Sequence, residues 1–62
     1  GPNTFSDFEY ALTSIMVALP ENQHDDVRDE ARAMKATMVA KLRAAGDDVQ
    51  AQQFEDLDVG AY

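Results

Sequence analysis

Apolar side chains recur at helical spacing in two stretches, and a proline divides them. Phe5, Phe8, Leu12, Ile15 and Leu19 step by 3, 4, 3 and 4. That spacing lays all five along one seam of a helix over residues 5–19. Thr4 or Ser6 can act as N-cap, Ser6 with Glu9 fits a capping box, and Asp7 and Glu9 suit the positive end of the helix dipole. Pro20 ends the run, because the residue before a proline is pushed out of the α region. Val27, Ala31, Met34, Met38, Leu42 and Ala45 then step by 4, 3, 4, 4 and 3, predicting a second helix over residues 23–45. Asn22 is its expected N-cap and Gly46 its C′ residue. Asp25, Asp26, Asp29 and Glu30 crowd its early turns, and Lys41 and Arg43 sit near its end, both favourable to the dipole. Asp25 with Arg28 and Asp29 with Arg32 are i,i+3 pairs worth a few tenths of a kcal/mol each.

Residues 47–62 differ in kind. They hold five acids (Asp47, Asp48, Glu55, Asp56, Asp58) and no base. Residues 1–46 carry seven acids against five bases, so of the net −7 only −2 lies there and −5 falls in the last sixteen residues. Asp47 or Asp48 can cap a short helix over about residues 49–57, whose apolar face, Val49 or Gln50 with Phe54 and Leu57, is thin. A segment that orders only on binding is the alternative.

Length and composition bound what such a chain can do. Its 62 residues make at most one small domain, close to the size at which a lone core becomes marginal. With no cysteine, neither a disulfide framework nor a thiolate metal site is available. No apolar run approaches the ~18 residues of a membrane span, and the acidic balance argues against nucleic acid or anionic lipid as a partner. Gly1-Pro2 reads as a tag scar, residues 3–46 as a helical hairpin and residues 47–62 as an acidic amphipathic segment. No signal peptide is recognisable, which says little about a parent protein of which this chain is a piece; a cytoplasmic protein is the expectation.

Catalytic and metal chemistry find no support. His24 beside Asp25 and Asp26 does not make a metal cluster, since consecutive helical residues do not converge on one ion; it reads as an exposed histidine near a helix start. Asp56, Asp58 and Gly60 lack the third ligand and the later glutamate of a calcium loop. Ser6, Thr13, Ser14 and Thr37 have no base partner, and no glycine-rich phosphate loop is present. No enzyme, cofactor or metal is therefore expected.

Association is the expectation that remains. Two facing seams leave Met16, Val17 and Val39 poorly covered, and the longer helix overhangs the shorter by about 11 Å. The closing segment can cover the gap, giving a monomeric three-helix bundle. A second copy can also do so, giving a dimeric four-helix bundle, and two-fold dimers are the commonest such solution. The fold class is thus all-α: a helical hairpin plus a short C-terminal helix, favoured as a dimer. In the closing segment, acids interleave with Phe54, Leu57, Val59 and Tyr62, as in a peptide that docks on a basic, hydrophobic groove, where charge steers and apolar anchors hold. A small acidic inhibitor, a nucleic-acid mimic or antitoxin-like protein plugging a basic site, is the rival reading. A mimic would spread its acids along one surface, whereas these cluster at one end.

The order of features resembles the C-terminal docking domains of modular polyketide synthases. Ala18-Leu19-Pro20 closes a short helix, residues 21–26 are acidic, a longer helix carries Arg28, Glu30, Arg32, Leu42 and Arg43, and an acidic amphipathic segment follows. The resemblance implies a dimeric four-helix bundle with Phe5, Phe8, Leu12, Ile15, Leu19, Met34, Met38 and Leu42 in its core. Val27, on the same stripe, joins that set. It also implies that Phe54, Asp56, Leu57 and Asp58, with neighbouring Glu55, bind the N-terminal docking element of a following synthase subunit.

Overall fold

A computed structural model of the chain describes residues 3–62; Gly1 and Pro2, read above as a tag scar, lie outside them. The described residues fold into three α-helices and two 3-10 turns, with no strand among them. Helix α1 spans Thr4–Ala18, α2 His24–Ala44 and α3 Asp48–Asp56, with 3-10 turns at Glu21–Gln23 and Val59–Ala61. The all-α expectation holds, and the ends show why the helices start and stop.

Asn3, not Thr4 or Ser6, caps α1: its side-chain oxygen accepts from the Ser6 backbone N–H at 3.0 Å. An amide side chain there satisfies an N–H that the helix itself cannot. The Ser6–Glu9 capping box is therefore not the cap, and the Glu9 carboxylate is left for another role. At the far end Leu19 still donates to the Ile15 carbonyl at 2.9 Å before Pro20 breaks the series. Asn22 does not cap α2, because the 3-10 turn feeds straight into His24 without a side-chain cap. The corner is held by His24 instead, whose Nε2 bonds the Leu19 carbonyl oxygen at 2.8 Å. His24 is thus half-buried rather than the exposed histidine expected from its neighbours.

Gly46 performs the predicted stop. Its φ of +80° is the left-handed value that side chains with a Cβ rarely adopt. Its N–H donates to Arg43 and that of Asp47 to Leu42, at 3.0 and 2.9 Å, the paired bonds of a Schellman motif. Asp47 then caps α3, accepting from Gln50 N at 3.1 Å and from Gln50 Nε2 at 2.8 Å. The Gln50 Oε1 in turn accepts the Phe5 N–H at 3.0 Å, tying the starts of α3 and α1 together.

The turn at Gly46 sends the chain back along α2 in the antiparallel sense. Arg43 meets Glu55, Lys35 reaches Leu57, and Arg28 reaches Tyr62. The gap beside the longer helix is filled by this chain's own closing segment, and that segment supplies most of the core. The buried apolar residues are Leu12, Ala31, Ala51, Phe54, Leu57 and Val59. Phe54 is fully buried, its ring edge-on to Phe5 and Phe8 with both centroid distances 5.2 Å. Such edge-to-face pairs add to the gain from burying area.

The nine residues expected in the dimer core therefore divide. Leu12 is buried, and Phe5, Phe8, Leu19, Val27, Met38 and Leu42 are half-buried. Ile15 and Met34 stay 43% and 55% exposed. The molecule is elongated, 37 × 20 × 15 Å, because α2 runs its length.

Candidate functional site

All five bases lie on α2, and three of them hold the closing segment. Arg43 pairs with Glu55 at 3.3 Å and approaches Asp48 at 4.0 Å. Lys35 Nζ donates to the Leu57 carbonyl at 2.7 Å. Arg28 reaches the Tyr62 carbonyl oxygen through both Nε and Nη2, at 2.9 and 2.5 Å, and also meets Asp25 at 3.1 Å. Arg32 pairs with Asp29 at 3.3 Å. Both predicted i,i+3 pairs form. The charge split seen in the sequence is thus partly internal: bases of α2 face carbonyls and carboxylates of the segment after it.

The five residues expected to bind a partner fall in different places. Phe54 is fully buried and Leu57 is 8% exposed, both in this chain's own core. An anchor offered to a partner has to be reachable, so neither is a free tail anchor in this fold. Glu55 faces Arg43. Asp56 and Asp58 remain exposed. Asp56 accepts from Gln52 Nε2 at 3.0 Å, and Asp58 caps the last 3-10 turn by accepting from Gly60 N at 3.1 Å.

Asp56, Asp58 and an edge of Leu57 nonetheless line one surface, together with two residues of α1 that sequence reasoning missed. A shallow concavity of about 430 Å³ is bounded by Phe5 and Glu9 of α1, by Gln53, Asp56, Leu57 and Asp58, and by Ala61 and Tyr62. Its lining holds three carboxylates and no cation. Tyr62 closes one side by donating its hydroxyl to Glu9 Oε2 at 3.0 Å. Burial, and then the hydrogen bond to Glu9 and its negative charge, push the Tyr62 phenol above its ordinary pKa. The one signal that could have found this set is that Phe5 and Glu9 stand one helical turn apart on α1; nothing in the sequence pairs them with Tyr62.

A second surface lies between α1 and α2. Phe8, Ala11, Leu12, Ile15, Val27, Ala31 and Met34 bound a groove of about 100 Å³ with no polar residue in its lining. Met34 also borders the adjoining depression formed with Ala33, Thr37, Met38 and Lys41. Six of the seam residues named from the sequence (Phe8, Leu12, Ile15, Val27, Ala31, Met34) meet at the groove, and Met38 is next to it.

What these groups offer is a charged rim, an apolar floor and an apolar groove. Among the described residues no group of three or more His, Cys, Asp or Glu is placed to hold a metal ion, and no helix is long and apolar enough to cross a membrane. Compared with protein-family models, with curated proteins and with solved structures, the chain gives no match.

Proposed function

We propose that the chain is a protein–protein docking module of a larger multidomain assembly, in which the concavity at Glu9, Asp56 and Asp58 receives a basic, partly apolar segment of a partner protein. The observation that carries this reading is the convergence of three carboxylates, one from α1 and two from the closing segment, around an apolar floor, with no cation in the lining. Carboxylates so placed raise the encounter rate with a basic segment, and apolar contact at Phe5 and Leu57 slows its departure. The surface is preformed, so binding avoids the ordering cost of a flexible tail. Likeness in element order to polyketide synthase docking domains points the same way, as does the α1–α2 groove, which a second copy of the chain would cover.

The test is a titration of labelled chain with a synthetic Lys/Leu amphipathic peptide, followed by amide NMR shifts. Shifts should cluster at Glu9, Asp56, Asp58 and Tyr62 and shrink at high salt. The variant Glu9→Gln, Asp56→Asn, Asp58→Asn keeps each hydrogen-bonding oxygen while removing the charge, and should lose the response. Shifts scattered over the whole chain, or unchanged in that variant, would contradict the reading.

A further inference from the structure

Glu30, Met34, Thr37 and Lys41 step by 4, 3 and 4 along α2, the spacing of one helix-pairing seam. All four are exposed, on a face that neither α1 nor α3 covers, and Ala33 and Met38 flank them. Met34, the one apolar residue of the four, is shared with the α1–α2 groove that Ile15 of α1 also lines. The strip is electrically polar along its length. Glu30 stands at one end and Lys41 at the other, and neither makes an ion pair among the described residues. The cations Arg28, Arg32 and Arg43 all do.

That arrangement names both an occupant and an orientation. In an antiparallel pair of identical helices, facing residues have numbers of constant sum. Setting Glu30 against Lys41 fixes that sum, and the same register sets Met34 against Thr37 and Ala33 against Met38, a large side chain facing a smaller one each time. Two-fold symmetry repeats every pairing. A parallel pair would instead face Glu30 with Glu30 and Lys41 with Lys41. The two ends of the strip complement each other in only one of these arrangements.

We infer that this face of α2 takes a second copy of the chain, antiparallel about a two-fold axis between Lys35 and Ala36, with Glu30 facing the partner subunit's Lys41 and Lys41 facing the partner subunit's Glu30. The inference rests on the self-association part of the function proposed above and adds its register. Met34, which one copy leaves 55% exposed, is covered in the pair.

Sedimentation equilibrium on the full chain, unmodified and as E30K, K41E and E30K/K41E, reads the register. Each single reversal places like charges at both symmetric contacts and should raise the dimer dissociation constant about tenfold. The double reversal restores opposite charges and should return it to within a few-fold of the starting value. Met34→Asp, at the centre of the strip, should leave helicity intact and abolish association. Dimers indifferent to the single reversals, or single losses that the double variant does not repair, overturn the register while leaving self-association standing. An unmodified chain that stays monomeric at the highest concentration overturns self-association as well. Dimers that Met34→Asp does not weaken place the contact on another surface and also overturn the inference.

Discussion

Lys35 Nζ donates to the Leu57 carbonyl oxygen at 2.7 Å, where α3 has just ended. The contact joins the middle of the longest helix to the end of the shortest. It also places a positive charge where the dipole of α3 is negative. Lys35→Met keeps most of the stem and loses the bond. Urea unfolding should show a loss of about 1 kcal/mol; an unchanged midpoint would mean that this bond adds nothing to the hold on the closing segment.

Phe54 carries the largest single consequence. A side chain with no exposed surface, edge-on to two rings, leaves a cavity when truncated. Phe54→Ala should cost about 3–5 kcal/mol, against a total of about 3–9 kcal/mol for a domain of this length. Thermal melting followed by circular dichroism should become broad or vanish. A sharp melt at the original temperature would show Phe54 to be peripheral.

The Tyr62–Glu9 contact gives the fold a sensitivity to alkali. The folded phenol is raised above its ordinary value, so its contribution to stability is complete below the unfolded pKa of about 10 and is lost as pH rises through the folded one. Melting temperature should fall more steeply above about pH 10 in the unmodified chain than in Tyr62→Phe, which has no phenol to ionise. Parallel curves for the two would remove the contact from the account.

Gly46 is required for its backbone and not for space. A Cβ built there meets nothing within 4 Å, while φ is +80°. Gly46→Ala should therefore cost about 1 kcal/mol through left-handed strain, and Gly46→Asn less. Equal stability of all three chains in chemical unfolding would contradict the strain argument.

The sequence announced the helices because their signals are local. Seam spacing, Pro20 and Gly46 each act within a turn or two of chain, and α1, α2 and the stop between α2 and α3 follow from them. The role of α3 is settled by distant partners. Phe54 looks like an exposed anchor when its neighbours are Glu55 and Asp56, and becomes core only when Phe5 and Phe8 arrive from the other end of the chain. His24 shows the same limit, since the carbonyl it bonds belongs to the preceding helix. The acidic concavity was half legible: Asp56 and Asp58 were visible as charge, but Glu9 looked like part of a capping box until Asn3 took the cap. Arg28 reads from the sequence only as the i,i+3 partner of Asp25, and Lys35 carries no signal, because a carbonyl acceptor leaves no mark in a sequence.

Native-state hydrogen exchange on the chain alone is the most direct measurement. If residues 47–62 form a packed wall carrying a preformed acidic surface, the amides of Phe54 and Leu57 should be protected to the same free energy as those in the middle of α2. Exchange of those amides at unfolded-chain rates, with α2 still protected, would show a tail that orders only on meeting its partner.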